Sequence, residues 1–454
     1  MSNKPNVILL TVDTLRADKA GRHGHNSLTP NLDSLAASGV NFTQAITGGS
    51  WTQAAFPVIL TSTYASMHGG CLTPLAPTRP SPVTALANYG YTTAGFSTSP
   101  LLSRKYGYDR GFRDFFDLDP NEGDPLLRRV RGGQRMLRNP LTHYVSSLLG
   151  QRSRPARLYV SAQELTDHVC NWLGTVQEPF FLWAHYMDIH WPYHLQEQLH
   201  HPREIAQAWR DLGRIYRANR RGETLSGEDR ERYIRLYEQA VTYTDQQLGR
   251  LFDFLGSNGL LQTTIVVVVS DHGEEFLERR RWGHFESNLY DEILKVPLII
   301  RGPGLSTGEV VARQTRTLDI MPTILDLCSC PHPDGMEGSS LRPLWTRRDG
   351  HYDAKESISE MWRDHWHIVA VRTEDHKYIW NSRSPEQPLL FDLNADPGEH
   401  HNISGQQPDR ARYFQSRVDA HLRRAGRGQS TDLGAVPELD EEMVRRLRGL
   451  GYLQ

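Results

Sequence analysis

The sequence is poor in cysteine and has no long hydrophobic run. Four cysteines among 454 residues are too few for a disulfide framework, and Cys328 and Cys330 alone are too few for a zinc site. No window approaches the roughly 20 uncharged apolar residues that a membrane-spanning helix needs. The N-terminus has neither a long apolar h-region nor a cleavage site. We therefore predict a cytoplasmic protein with no signal peptide and no transmembrane segment.

The chain also lacks an excess of charge of either sign. Its 51 Lys and Arg residues and 53 Asp and Glu residues leave a net charge of −2, so we expect no nucleic-acid partner. A hydrophobic fraction of 38%, with 10 Trp and 18 Tyr, is sufficient for a large core and argues against global disorder. The length accommodates one large domain with an appendage, or two to three domains.

Three apolar runs predict strands that are buried on both faces of a parallel sheet, at residues 6–12, 180–187 and 263–269. Each run leads directly into acidic or histidine residues, and neighbouring parallel strands end at the same edge of a sheet. If these strands are neighbours, the following side chains converge there: Asp13 after the first strand, Asp188, His190 and His194 after the second, and Asp271 and His272 after the third.

Weaker patterns complete the predicted organisation. Residues 6–96 predict the order β-α-α-α-β, and Ser161 with Glu164 forms a capping box at the start of another helix. Residues 203–232 are charged and predict a helical insertion, and residues 233–255 form an amphipathic helix. Short alternating segments after about residue 366 predict a small antiparallel sheet, with strands at 367–372, 377–380 and 389–393.

The stretch from Gly48 to Gly69 predicts a loop that leads into a helix. Gly48 and Gly49 permit an unusual backbone, and an apolar run begins shortly after Thr52. A hydroxyl at such a junction lies where a helix N-terminus favours negative charge, which suits a nucleophile that attacks an anionic ester. Thr52 is also a typical helix N-cap, and this stretch alone favours the N-cap.

The predicted strand ends offer a set of ligands for one divalent ion. Asp13, Asp271, His272 and the hydroxyl of Thr52 suit Mg²⁺, Ca²⁺, Mn²⁺ or Zn²⁺ better than a thiolate metal. Such an ion lowers the pKa of the Thr52 hydroxyl. His190 and His284 are candidates to bind the ester oxygens or to protonate the leaving group. Asp13 as a helix cap and each histidine as a structural residue are the alternatives, and Asp188, His190 and His194 leave a second metal open.

An arginine-rich segment interrupts the chain before the second predicted strand. Residues 125–163 contain eight arginines and no acidic residue up to Gln163. A solvated insertion is the usual explanation of such a run. A basic lid over an anionic substrate and a peripheral contact with acidic lipid are the alternatives.

The order of the motifs resembles the sulfatase family of the alkaline phosphatase superfamily over nearly the whole chain. The matching segments are NVILLTVDTLRAD, TPNLDSLAASGVNF, ILTSTYASMHG, MDIHWPY, SDHGEE, WGHFESNLYDEILKVPLIIRGPG, TLDIMPTILDL and LLFDLNADPGEHHNI. The resemblance implies an α/β fold with a mixed, mostly parallel central sheet flanked by helices, followed by a small four-stranded antiparallel sheet. We predict a catalytic domain over residues 1–350, with insertions at about 122–160 and 200–232, and a smaller C-terminal subdomain over 351–454.

The sequence departs from the family pattern at the nucleophile. Thr52 stands where the CxPxR motif has the cysteine that becomes formylglycine, and Ala54 and Phe56 stand at the proline and arginine. Thr14 replaces the second aspartate of the usual pair, and the GKWH-type motif is missing at residues 95–98. A literal match at residues 153–157 lies in the arginine-rich segment, where it is easily met by chance.

These departures resemble the branch of the superfamily that uses a threonine nucleophile. The resemblance implies a metal-dependent hydrolase of sulfate or phosphate esters, with phosphodiesters and phosphonate esters favoured, in which Thr52, His190 and His284 act on an anionic ester. Asp13, Thr52, Asp271 and His272 would hold the ion. The alternatives are a phospho-group transferase of the same superfamily and a catalytically silent relative that binds an anion.

Overall fold

The computed structural model describes residues 4–20, 27–68, 73–120, 158–195, 202–284, 288–346, 352, 356–363 and 366–428, together with 443, 444, 446, 447 and 450. Most of the arginine-rich segment, including residues 153–157, therefore lies outside the described residues. No helix in the described part of the chain is long and apolar enough to span a membrane.

A nine-stranded, mostly parallel sheet forms the centre of the protein, with the strand order β10-β2-β9-β6-β1-β5-β3-β4 and β11 paired with β2. Only β9 runs antiparallel to its neighbours, β2 and β6. The predicted fold class is confirmed. The strands are β1 (Asn6–Val12), β2 (Val40–Ile46), β3 (Thr92–Ser97), β4 (Asp114–Asp117), β5 (Phe180–Tyr186), β6 (Thr264–Ser270), β9 (Lys295–Arg301), β10 (Glu309–Val311) and β11 (Thr315–Arg316).

Helices pack on both faces of this sheet, where apolar side chains form two separate hydrophobic cores. A two-stranded ribbon, β7 (Glu275–Phe276) with β8 (Trp282–Gly283), follows β6. The helices are α1 (Pro30–Ala37), α2 (Thr52–Thr61), α3 (Pro82–Asn88), α4 (Ala162–Leu173), α5 (Pro202–Arg221), α6 (Gly227–Ser257), α7 (Asp291–Leu294), α8 (Ile320–Leu327) and, after the small sheet, α9 (Pro408–Gly428).

The small antiparallel sheet is present and has four strands in sequential order. They are β12 (Ser357–Arg363), β13 (Trp366–Arg372), β14 (His376–Asn381) and β15 (Leu389–Asp392). A shared hydrophobic cluster joins it to the central sheet, with Ile46 and Leu294 packed against Met361 and Ile368. The boundary between a domain of residues 1–350 and a subdomain of 351–454 remains a prediction.

Several strands were missed by the sequence patterns, and β2 and β12 are the longest of them. The predicted order β-α-α-α-β is wrong because β2 lies between the first two helices. Its polar residues Asn41, Thr43 and Gln44 are only partly buried, so it lacks the continuous apolar run of a central strand. The first strand of the small sheet, β12, likewise carries serines, a glutamate and an arginine among its apolar residues.

Capping residues set two helix boundaries. The predicted capping box is present, with Ser161 accepting from the backbone N–H of Glu164 at the start of α4. A second box, Ser226 with Asp229, begins α6 six residues before the predicted start of that helix. Because reciprocal side-chain bonds satisfy donors at a helix N-terminus, α6 extends into a charged stretch that hydrophobic periodicity alone does not indicate.

A buried ionic network holds the small sheet against the central one. The Lys377 ammonium on β14 is fully buried and lies 2.8 Å from both the Asp291 and the Glu399 carboxylates. Arg372 on β13 also pairs with Asp291, at 2.9 Å. The positive charges of Lys377 and Arg372 balance the negative charges of Asp291 and Glu399. Removing one of the cations therefore leaves a buried negative charge without compensation.

Replacing Lys377 by methionine is therefore expected to lower the free energy of unfolding by about 3–5 kcal/mol, the usual effect of breaking a buried pair. Urea unfolding measures it. Lys19→Met, which breaks the partly exposed pair with Glu238, is the matched control and is expected to cost less than about 1 kcal/mol. Equal losses in the two variants would contradict this role of Lys377.

Candidate active site

The strand ends that the sequence singles out are adjacent in the sheet. β1 lies between β5 and β6, and Val12 pairs with Tyr186 on one side and with Ser270 on the other. Asp13 and Asp271 therefore follow neighbouring strands at the same edge, as predicted. The backbone N–H groups of Thr14 and His272 donate to Asp271 Oδ1 at 3.2 and 2.8 Å and fix that carboxylate between the two loops.

Asp13, Asp271 and His272 form a group with metal-ligand geometry. One ligand atom from each lies within 4.8 Å of the other two, and all three residues are fully buried. Among the described residues, both oxygens of Asp13, Asp271 Oδ2 and His272 Nε2 have no hydrogen-bond partner. Buried polar atoms rarely remain unpaired, so these residues fit a divalent cation with oxygen and imidazole ligands.

A histidine that the sequence analysis missed lies beside this group. His185 Nε2 is 3.4 Å from Asp13 Oδ2, and His185 Nδ1 is 3.0 Å from Thr11 Oγ1. Trp183 Nε1 donates to the same Thr11 oxygen at 3.0 Å, so the imidazole is held inside the sheet. A histidine within an otherwise apolar buried strand was the signal that could have identified it, since a buried ring nitrogen needs a polar partner.

The predicted histidines His190 and His284 lie together, next to the group formed by Asp13, Asp271 and His272. Their ring centroids are 5.1 Å apart, and the His284 ring is 4.4 Å from that of His272. His284 Nδ1 contacts Glu274 Oε1 at 3.1 Å, while His190 Nδ1 contacts the Trp191 carbonyl at 2.8 Å. Glu274 has no role in the sequence analysis, although it lies two residues after His272 in the same motif.

Burial and neighbouring charges give these groups unequal pKa values. Burial opposes ionisation of Asp13, but the adjacent His185 imidazole and the charges of His190 and His272 hold the pKa of its carboxyl well below its usual range. Burial, and then the Asp13 charge, raise the pKa of Asp271. Burial raises the pKa of Glu274 to about 8 and lowers that of His190 to about 4.

Thr52 is the first residue of α2 and is fully buried. The interpretation of Thr52 as the N-cap is wrong, because the extended residue Trp51 occupies the N-cap position. One turn later, the Phe56 ring packs edge-on against His185, with centroids 4.8 Å apart. The apolar residue at the arginine position of the family motif therefore packs against the histidine that contacts Asp13.

The glycines before α2 allow the close packing of its first turns. A Cβ on Gly49 would lie 2.5 Å from the backbone of Ala54, and one on Gly48 would lie 2.6 Å from Val58. The loop that precedes Thr52 therefore folds directly onto its own helix. Larger residues at these positions would displace the start of α2, where Thr52 lies.

Thr14 does not take the place of the second aspartate as a ligand. It has a left-handed backbone (φ 57°), and its hydroxyl donates to the Ile189 carbonyl at 2.9 Å. Thr14 therefore connects the loop after β1 to the loop that carries Asp188 and His190. Its hydroxyl faces that carbonyl, while its backbone N–H supports Asp271.

The residues considered for a second metal, Asp188, His190 and His194, are arranged differently from the group formed by Asp13, Asp271 and His272. Asp188 and His190 are fully buried, but His194 pairs with Asp211 of α5 at 2.9 Å. Arg232 of α6 contacts the same carboxylate. Within the described residues, Asp13, Asp271 and His272 are the one group of three acidic, histidine or cysteine side chains with metal-ligand spacing.

The mixed sheet, with acidic and histidine residues at the carboxyl ends of its central strands, agrees with the fold that the sequence resemblance implies. A family model described as Sulfatase matches residues 5–329, and one described as N-sulphoglucosamine sulphohydrolase, C-terminal, matches residues 281–425. The chain belongs to the sulfatase family, and it is a hydrolase of ester bonds.

Relatives and solved structures agree with this family. The multifunctional alkaline phosphatase superfamily protein PehA of Trinickia caryophylli is 25% identical over 88% of this chain and 91% of its own length. An arylsulfatase of Clostridium perfringens is also 25% identical, over 88% and 90%. The fold is similar to that of a phosphonate monoester hydrolase of Agrobacterium radiobacter, with a TM-score of 0.71, 21% identity, and coverage of 93% of this chain and 96% of that one.

Proposed function

We propose that the protein is a metal-dependent hydrolase of sulfate or phosphate esters that uses Thr52 as its nucleophile, with phosphodiesters and phosphonate monoesters as favoured substrates. The observation that carries this proposal is the group of buried, unpaired ligand atoms on Asp13, Asp271 and His272. Thr52 supports it by standing, at the start of α2, where the family has its nucleophile. Similarity to the phosphonate monoester hydrolase supports the choice of substrate.

Asp13, Asp271, His272 and the Thr52 hydroxyl would hold the cation. When bound, the ion would lower the pKa of the Thr52 hydroxyl and balance charge on the attacked ester. The Thr52 oxygen, in its alkoxide form, would bond to the phosphorus or sulfur centre as the bond to the leaving oxygen breaks. Water would then hydrolyse the Thr52 ester and restore the free hydroxyl.

His190 and His284 would act on the oxygens of the ester. The His284 imidazole lies beside His272 and the His190 imidazole lies beside His284, and the contact between Glu274 and His284 Nδ1 fixes the ring orientation of His284. A histidine in this position binds a charged oxygen or donates a proton to the leaving oxygen as its bond breaks. In this proposal Thr52 would supply the nucleophile, and the two imidazoles would supply hydrogen bonds or a proton to the oxygens of the ester.

A substrate panel tests the proposed activity. Purified protein is treated with chelator and then assayed on aryl sulfate, aryl phosphate, aryl phosphodiester and aryl phosphonate monoester, with Mg²⁺, Ca²⁺, Mn²⁺ or Zn²⁺ added back. We expect turnover to need added metal and to be fastest on the diester or phosphonate. A preference for aryl sulfate would correct the substrate class. No metal-dependent turnover on any ester would contradict the proposal and favour the anion-binding alternative.

His284→Asn is expected to slow hydrolysis according to the leaving group. If His284 donates the proton, kcat/KM falls about 10²- to 10⁴-fold for an ester with a poor leaving group, and much less for a nitrophenyl ester. Comparing kcat/KM across aryl esters of graded leaving-group pKa measures this. His168→Asn, at an exposed position on α4, is the control and should leave the series unchanged. An equal loss on all esters would assign His284 to oxyanion binding instead.

A further inference from the structure

A polar cavity of about 600 Å³ lies between the central sheet and the four-stranded sheet. None of the residues that line it belongs to the candidate active site. Gln44, Lys295 and Arg313 contribute from the central sheet and its connections, and Arg372, Glu374 and Asn394 from the small sheet and the loops beside it. The volume falls within the range of about 300–1,000 Å³ that is usual for small-molecule sites.

The charges that line this cavity are not balanced. The Arg372 guanidinium already has protein partners, since it pairs with Asp291 at 2.9 Å and donates to Gln314 Oε1 at 2.6 Å. Arg313 lies at the longer distance of 3.8 Å from Glu374, and both side chains are largely exposed. Lys295 has no ion pair and no hydrogen bond from its side chain among the described residues.

The Lys295 ammonium is only partly hydrated. Its residue is half-buried, and burial lowers the pKa of the amine despite the nearby Asp291. A cation that loses water without gaining a partner is unfavourable, and a bound anion would remove that cost. Apolar side chains of Ala312, Leu393 and Pro397 line another part of the cavity, so it offers contact area for carbon atoms as well.

We propose that this cavity binds a small organic oxyanion, a carboxylate or an ester of phosphate or sulfate, through Lys295 and Arg313. The Gln44 and Asn394 amides line the same cavity and offer hydrogen bonds to the rest of the ligand. The volume exceeds what a free inorganic ion would fill, which favours an organic molecule. This proposal does not depend on the activity proposed for Thr52.

The position of Lys295 connects this cavity to the candidate active site through the backbone. Lys295 directly follows α7, where the Ile293 carbonyl accepts from Gly273 N–H at 2.7 Å and the Leu294 carbonyl accepts from Thr47 N–H at 2.9 Å. Gly273 follows His272, and Thr47 precedes the glycines that lead to Thr52. An anion bound at Lys295 therefore stabilises the segment that supports both active-site loops.

Labelling with pyridoxal 5′-phosphate tests the site. Its phosphate is the proposed anion, and its aldehyde condenses with a lysine amine to an imine with loss of water, which borohydride reduces to a stable secondary amine. We expect Lys295 to be modified faster than Lys4 or Lys19, as measured by peptide mass spectrometry. Pyridoxal, which lacks the phosphate, is expected to label Lys295 about tenfold more slowly. Inorganic phosphate should slow the labelling of Lys295 by the phosphorylated probe.

Variants separate this cavity from the active site. Arg313→Gln is expected to slow labelling of Lys295 by pyridoxal 5′-phosphate about tenfold and to leave labelling by pyridoxal unchanged. Arg383→Gln, at an arginine that stacks on Trp366 outside the cavity, should change neither rate. Phosphate protection of Lys295 should persist in Asp271→Asn. Equal labelling by the two probes, absence of labelling at Lys295, or absence of phosphate protection would overturn the proposal.

Discussion

Thr52→Ala is expected to abolish metal-dependent ester hydrolysis, with a loss in kcat on the order of 10⁴-fold or more. The variant removes the one oxygen that the proposed mechanism uses to form the covalent intermediate. Thr52 is buried at the first position of α2, and its Cβ remains, so the helix should keep its place. Steady-state assays on the preferred ester of the substrate panel, with saturating metal, measure the effect.

Two controls make this result specific to the hydroxyl of Thr52. Thr52→Ser keeps a nucleophilic oxygen and should retain much of the activity. Thr61→Ala removes the hydroxyl at the other end of the same helix, which donates to the Pro57 carbonyl, and should leave kcat unchanged. Mass spectrometry of acid-quenched enzyme should show the substrate-derived group on the peptide that contains Thr52. Full activity of Thr52→Ala, with no adduct, would exclude this nucleophile.

Metal binding is expected to raise the free energy of unfolding by about 3 kcal/mol at an ion concentration 100 times Kd. Without a cation, the Asp13 and Asp271 carboxylates are buried close together, and the Asp13 charge already raises the pKa of Asp271. A bound ion would neutralise both. Urea unfolding after chelation, with each divalent ion added back in turn, measures the stabilisation and identifies the preferred metal.

Asp271→Asn should remove this response to metal. Because the variant relieves repulsion with Asp13, its metal-free form should be at least as stable as the metal-free wild type. Asp245→Asn is the matched control, since Asp245 is equally buried but accepts backbone and side-chain bonds from α1. It should lower stability while keeping the response to metal. An undiminished response in Asp271→Asn would place the cation elsewhere.

The sequence predicted the buried strands of the fold more reliably than its outer ones. Continuous apolar runs identified β1, β5 and β6, and the residues that follow them were correctly expected at one edge of the sheet. β2 was missed because its partly buried positions carry polar residues, a pattern that loops also show. β12 was missed because buried polar residues, Ser357, Ser359 and Glu360, interrupt its apolar residues. The start of α6 depended on a capping box rather than on periodicity.

Only the residues of the candidate site that have a local sequence signal were predicted. Asp13, Asp271 and His272 were identified because each directly follows an apolar strand, which is a local signal. His185 and Glu274 were not, since their importance comes from contacts with Asp13 and with His284 across the site. The role of Thr14 as a bridge to Ile189 likewise depends on a partner 175 residues away in the chain.

The sequence by itself determined the family, the order of the motifs and the residue types offered at the sheet edge, because these depend on the local pattern and spacing of side chains. Tertiary structure decided which of these side chains meet. It brought Asp13, Asp271 and His272 within ligand distance, directed His194 to Asp211, and left Lys295 without a partner in a cavity between the two sheets. Strand order and sheet packing set such distances, and no local sequence pattern records them.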